Sequence, residues 1–238
     1  MDRIKLLDHG HVGLVDSMGG DLAVVRSARV SHDAEWRAGE DKDSDTRLIR
    51  YLWRNGHTTP FESTVVTLDV KAPIFVLRQW HRHRTQSYNE LSARYRPLPE
   101  EFYVPESHLI GTQSEGHKQM REVLSAEEFE QLDGVSKGVA RVIRSALSDA
   151  NKASFKGYQA LLANGAPREL ARSVLPVSTY SHMFTTVNLL NLFRFLKERL
   201  HPHAQYEIRV YAEAILELIE PVAPVAVAAF KDGLGEEN

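Results

Sequence analysis

The sequence predicts an α+β fold in which an antiparallel central sheet is flanked by long helices, and three observations carry that expectation. Helical periodicity dominates the second half of the chain. The strand-like segments are few and do not alternate with helices as a βαβ series does. Neither GxGxxG nor GxxxxGK[ST], the loops that open nucleotide-binding parallel sheets, occurs in the 238 residues. No repeat or Pro/Ser-rich linker interrupts the chain, so residues 1–238 read as a single domain.

Taken in order, Ile4 to Asp16 reads as short strands broken by Gly10 and Gly13, and Asp21 caps a helix to about Val30 with Val24, Val25 and Ala28 at helical spacing. A charged loop from Ala34 leads to a helix capped by Ser44 or Asp45, striped by Leu48, Ile49 and Leu52 and stopped by Gly56. Thr64 to Val70 alternates as a strand, with Val66, Leu68 and Val70 on one face. Pro73 suits the first position of a helix reaching Arg82, because its missing N–H is one that a helix start leaves unpaired. An irregular stretch follows to Pro99, and Phe102 to Val104 is extended. Ser125 with Glu128 forms a capping box for helical sequence to about Asn164, weakened at Gly134 and Gly138 and stopped by Gly165. Pro167 starts a short helix to Leu175, Val177 to Val187 reads as a strand, and Asn188 caps a helix to Leu200. Beyond Pro202 a last long helix covers about Ala204 to Glu220. Its Ile208, Tyr211, Ala212, Ile215, Leu216 and Ile219 are expected in the core or at an intersubunit surface. Trp36 and Trp53 are expected to pack.

Composition excludes several classes of function. With 29 basic and 32 acidic residues the formal charge is −3, which argues against coating nucleic acid through a basic surface, so any anion site must be local. The chain has no cysteine, which removes thiolate nucleophiles, iron–sulfur clusters, Cys-bound zinc and disulfides. The longest uncharged apolar run, Pro221 to Phe230, is far shorter than the ~20 residues of a membrane span, and Met1 to Lys5 lacks the apolar segment of a secretory signal. The expected address is the cytoplasm, with no membrane partner.

The chemistry concentrates between Arg78 and Arg94, the densest polar stretch in the chain. On a helix from Pro73, Phe75, Arg78, Gln79 and Arg82 fall at i, i+3, i+4 and i+7, which aims the Gln79 amide and the Arg82 guanidinium at one volume. If Glu90 to Arg94 is extended, Glu90, Ser92 and Arg94 share a face as acceptor, hydroxyl and cation. Such a set suits a phosphorylated heterocycle: Arg grips phosphate, while Gln and Glu address a base edge. A solvated charged face is the bland alternative, against which the interleaved Trp80, Tyr88, Leu91 and Tyr95 weigh. A single-strand nucleic-acid loop with those aromatics stacking bases is another, and the acidic net charge opposes it. His81 and His83 flank Arg82, and the neighbouring arginines repel a cation, so no metal is expected there.

The string Arg82-His83-Arg84-x-x-Ser87-x-Asn89-Glu90-x-Ser92-x-Arg94-Tyr95 resembles the signature of flavin-dependent thymidylate synthases. Three further segments match the family in order: His57-x-Thr59-Pro60-Phe61-Glu62, Pro167-Arg168-Glu169-x-Ala171-Arg172, and Arg199 with His203-Ala204-Gln205. The resemblance spans about Leu22 to Ile219. It implies an enzyme that makes dTMP from dUMP, with 5,10-methylenetetrahydrofolate as carbon donor and NADPH as reductant through FAD. It further implies a homotetramer whose sites lie between subunits. On this resemblance His57, Thr59, Arg82, His83, Arg84, Glu90 and Asn188 contact the flavin, with Glu62 helping to shape its pocket. Gln79, Trp80, His81, Arg82, Glu90, Leu91, Ser92, Ala93, Arg94, Arg172 and Arg199 contact the nucleotide, and the backbone of Leu91 and Ala93 completes a phosphate cradle. Arg199 is the catalytic residue implied. A guanidinium is no base, but it stabilises negative charge developing on the uracil ring and so makes C5 more nucleophilic. The absence of cysteine agrees, because flavin-borne hydride replaces thiolate activation of the pyrimidine. One position departs from the pattern: an arginine expected two residues after Asn188 is Leu190, and Arg194, one helical turn on, is the proposed substitute.

Overall fold

The structure is a computed structural model that describes residues 3–235. A four-residue strand β1 (Arg3–Leu6) turns through Leu7, at φ 55°, into β2 (Gly10–Met18), which runs unbroken through Gly13 where a break was expected. Helix α1 (Asp21–Arg29) follows, and then α2 (Lys42–Arg54), whose N-cap is Asp41 rather than Ser44 or Asp45. The Asp41 carboxylate accepts from the Ser44 N–H at 3.0 Å, while Asp45 is drawn inward to the guanidinium of Arg29 at 2.6 Å.

Strand β3 (Val65–Pro73) extends three residues beyond the expected Val70, so Pro73 closes the strand and caps α3 (Ile74–Trp80) instead of opening it. Helix α3 ends two residues before Arg82. Next come β4 (Ser87–Glu90), the small hairpin β5 (Thr112–Gln113) and β6 (Arg121–Glu122), and α4 (Ala126–Glu130), which carries the expected Ser125/Glu128 capping box. The helical region is not continuous: α5 (Gly134–Ala163) restarts on a new cap, Asp133, whose carboxylate accepts from the N–H groups of Val135 and Ser136. Gly134 thus begins a helix instead of weakening one. After α6 (Arg168–Ala171) come β7 (Tyr180–Asn188) and α7 (Leu189–Leu200), with the Asn188 side chain accepting from Asn191 N–H at 2.9 Å as expected of an N-cap. Two more helices close the chain, α8 (Tyr206–Ile219) and α9 (Pro224–Gly235). No helix among the described residues is long and apolar enough to cross a membrane.

The five main strands form one antiparallel sheet in the order β1-β2-β3-β7-β4. Period-two alternation then decides which side each residue meets. Val66, Leu68 and Val70 of β3 are fully buried against Leu189, Phe193, Ile208, Ile215 and Val227 of the C-terminal helices. The approach of α8 is close: a Cβ on Gly10 would lie 2.1 Å from the Tyr211 hydroxyl, which donates to the Lys71 carbonyl at 2.6 Å. The other face carries Arg3, His11, Asp69 and His182, and Phe184, 40% exposed.

Trp53 packs edge-on against Phe61, Phe193 and Phe230, whereas Trp36 is 68% exposed beneath the Arg37 guanidinium, contrary to the packing role expected of it. On α5, Val135, Val139, Val142, Ile143 and Leu147 recur at helical spacing and all stand exposed, an apolar stripe that none of the described residues covers.

Candidate functional site

On the helix side of the sheet, α3 and α7 bring three of the expected site residues together. Arg199, in the last turn of α7, donates its Nε–H to His83 Nε2 at 3.0 Å and an Nη2–H to the Gln79 carbonyl at 3.4 Å. Because a guanidinium only donates, His83 Nε2 must be the acceptor, and the ring proton therefore sits on Nδ1. Burial lowers the His83 pKa, and the Arg199 charge lowers it further, so the ring is neutral at pH 7. Burial also lowers Arg199, with Arg82 adding to the effect, though the guanidinium stays charged. His83 stands edge-on to Phe195 at 4.9 Å, which fixes the ring, and its carbonyl accepts from the Tyr88 hydroxyl at 2.7 Å. Burial pushes that hydroxyl up to about 12, so Tyr88 remains a donor.

The Gln79 side chain donates to Gln205 Oε1 at 2.5 Å. Gln205 in turn donates to Glu207 Oε2 at 2.8 Å. Glu207 is fully buried, and its other oxygen accepts from Tyr103 at 3.0 Å and Arg121 at 2.5 Å. The sequence reading missed Glu207 because one acidic residue in the first turn of a helix looks like an ordinary dipole partner. Its signal was Gln205 two residues earlier, which the match had flagged. A cleft of about 500 Å³ opens beside this network, lined among others by Lys118, Arg121, His203, Gln205 and Arg209.

A second polar cluster lies where β4 leaves the sheet. Glu90 accepts from the Ser181 hydroxyl at 2.5 Å. The chain then turns at Ala93 to Tyr95, so Glu90, Ser92 and Arg94 do not continue as one strand face. The Ser92 hydroxyl accepts from the Arg94 N–H at 3.3 Å, and the Arg94 guanidinium pairs with Glu169 of α6 at 3.3 Å. Arg94, Glu169 and Arg172 line one open depression. The Leu91 N–H is spent on the His182 carbonyl at 2.7 Å, which extends the ladder by one residue and removes that amide from the expected phosphate cradle. Ala93 is buried within the turn.

The remaining expected contacts spread around these clusters. Trp80 is a core residue: its side chain is fully buried against Phe195, and its indole N–H donates to Gln86. It therefore offers a ligand no ring, contrary to the nucleotide contact expected. His81 stands edge-on to Tyr88 at 4.7 Å. Arg82 and Arg84 are exposed, and neither guanidinium has an ion pair or side-chain hydrogen bond among the described residues. His57 stacks on Tyr51 at 6.0 Å and leads into the short turn Thr59–Ser63. Asn188 spends its side-chain oxygen on capping α7. Arg194 is exposed and donates to Asn191 at 3.1 Å, whereas Leu190 is buried, so the two do not occupy equivalent surroundings despite their spacing.

Comparison with known proteins gives one answer. Residues 13–225 match the family model described as thymidylate synthase complementing protein. The chain is 43% identical to the flavin-dependent thymidylate synthase of Treponema pallidum over 98% of its own length and 73% of the relative's. It is 42% identical to that of Thermotoga neapolitana, covering 96% of this chain and 94% of the relative. Among solved structures, the UMP/dUMP methylase PolB from Streptomyces cacaoi, bound with 5-Br dUMP, superposes with a TM-score of 0.80 at 40% identity, covering 96% and 97% of the two chains. With the fold, the ordered motifs and both kinds of likeness in agreement, the chain belongs to the flavin-dependent thymidylate synthase family.

Proposed function

We propose that this chain, as one catalytic domain over residues 1–238, converts dUMP to dTMP by reductive methylation. The observation that carries the reading is the Gln79–His83–Arg199 cluster, in which one guanidinium is fixed by two bonds and keeps its other N–H groups for a ligand. The one-carbon unit comes from 5,10-methylenetetrahydrofolate and the hydride from NADPH, so tetrahydrofolate and NADP+ leave with the product. Bound FAD supplies the two-electron relay between NADPH and the transferred carbon.

The residues fit that cofactor. Unpaired Arg82 and Arg84 suit a dinucleotide's diphosphate, and the neutral, edge-packed His83 offers an apolar ring wall beside them. Thr59, His57, Glu90 and Asn188 complete its surroundings on this reading, with Arg194 for the missing arginine. Arg199 donates to the uracil O2/N3 edge and stabilises the charge that builds there as C5 attacks. His83 aims Arg199, and Phe195 keeps water from that bond. Arg94 and Arg172 hold the phosphate beside Ser92, while Gln79 and the His81, Leu91 and Ala93 segment border the base and sugar.

Within one chain no hydrogen bond or ion pair among the described residues joins the Arg199 cluster to the Arg94 cluster. Sites shared between subunits of a homotetramer would unite them, and the exposed stripe on α5 supplies an apolar surface for such contacts. The reaction is cytoplasmic on this reading, with neither membrane nor nucleic acid as partner. The test is anaerobic: NADPH-reduced protein is mixed with methylenetetrahydrofolate and either dUMP or UMP, and flavin reoxidation and product are followed. Thymidylate from dUMP supports the proposal; a methylated product from UMP alone overturns its substrate, and reoxidation without any methylated pyrimidine overturns the reaction.

A further inference from the structure

The sheet face turned away from the helices carries a second constellation that the proposed reaction leaves unused. His11 on β2 and His182 on β7 both lie opposite Lys71 in register, so the two imidazoles flank β3 from either side. Asp69, two residues from Lys71 on the same face, rises between them and is fully buried. Opposite Asp69 on β2 stands Gly13, which places no side chain beside the carboxylate. Lys71 turns out of the row to pair with Glu101 at 2.8 Å.

The donor atoms converge. His11 Nε2 lies 3.4 Å from Asp69 Oδ1, the His182 Nε2 contacts the same oxygen, and the three ligand atoms all fall within 4.8 Å of one another. Arg3 occupies the other oxygen, Oδ2, at 2.8 Å through Nε, which orients the carboxylate and leaves Oδ1 as the shared point. The His182 side chain is 41% exposed and the His11 side chain 17%, so the two imidazoles open to solvent on one side while the Asp69 carboxylate beneath them is covered. Two imidazoles and one carboxylate with an open side are the donor set of zinc-type ions, which keep a further position for water. Spacing along the chain does not reveal it, because Asp69 stands 58 residues from His11 and 113 from His182.

We propose that His11, Asp69 and His182 form a binding site for a divalent transition-metal ion of the zinc class, on the sheet face opposite the candidate nucleotide site. The test uses the flavin-loaded protein, stripped with a chelator and exchanged into metal-free buffer. Zn2+ binding is followed by calorimetry, and Co2+ binding by ligand-field bands in the red, clear of flavin absorption. One ion per chain is expected, with affinity lowered at least about 10-fold in His11→Ala and in His182→Ala. His182→Asn, a near-isosteric polar residue that ligates poorly, must lose the ion while keeping the melting temperature of the metal-free parent. The double variant His201→Ala/His203→Ala, at a separate histidine cluster, must bind as the parent does. Absence of saturable binding in the parent overturns the proposal and leaves a hydrogen-bonded His–Asp–His network. Binding that survives all three His11 and His182 substitutions, or that is lost only in the double variant, overturns it equally.

Discussion

The Arg199 cluster and the Arg94 cluster are both built from arginine and its acceptors, yet they are held in opposite ways. Arg199 is half-buried, its Nε fixed on a neutral His83 and its Nη2 on a main-chain carbonyl, with no carboxylate among the described residues hydrogen-bonded to it. Arg94 is exposed and shares Glu169 across 3.3 Å in an ion pair open to water. A preorganised donor spends little on reorganisation when charge appears, so the first arrangement suits a reacting ring. The second is easily exchanged for a phosphate, because a surface ion pair contributes only about 0–1 kcal/mol.

The sharpest test of that contrast is Arg199→Ala, for which we predict a fall of about 100- to 1000-fold in single-turnover thymidylate formation with flavin still bound. A change confined to KM would erase the distinction. Arg94→Ala and Arg172→Ala should instead raise the KM for dUMP by about 10- to 100-fold, the effect of losing a hydrogen bond to a charged group, with kcat within a few-fold. Their effect should shrink as salt rises, which a KM series in added chloride would show.

Protonation gives a third and smaller contrast. The folded state depresses the His83 pKa, so the stability tied to neutral His83 is fully present above the ordinary value of 6.5 and is lost as pH falls below it. Protonated His83 can no longer accept from Arg199, and thymidylate formation should decline in the same window. His83→Gln keeps an acceptor without titrating, and its profile should be flatter between pH 7 and pH 5; an unchanged profile would remove His83 from the account. Smallest of all, Arg194→Ala should weaken flavin binding by about 2- to 5-fold, the value of one exposed charge contact, measured by flavin fluorescence during titration. No change at all would end its role as a substitute arginine.

Elements with a strong local signal were legible in the sequence. Val66, Leu68 and Val70 declared their buried face by alternation, Asn188 declared a cap, and the spacing of Ile208, Tyr211, Ala212, Ile215 and Ile219 declared a core face. Helix α9 went unread because Pro224–Gly235 is almost uniformly apolar and shows no polar side from which to take a period. The Asp41 cap lost to Ser44 and Asp45 because all three are good capping residues and only tertiary pairing of Asp45 with Arg29 decides among them. Within the candidate site, the sequence pointed to the residues of the Arg82 to Arg94 string but not to the side chains that hold them. Gln79 was expected beside Arg82 and is held by Gln205, and Leu91 was expected to offer an amide that the sheet had already taken. Partners that lie far along the chain leave no periodic trace.

On the tetrameric reading, the exposed stripe of Val135, Val139, Val142, Ile143 and Leu147 would tie the durability of the molecule to its own concentration. If four copies bury those side chains together, unfolding also separates them, and mass action charges each tenfold dilution about 1 kcal/mol per chain. A dilute assay would then meet a more fragile enzyme than a crowded one, and its melting temperature would rise with every step up in protein concentration.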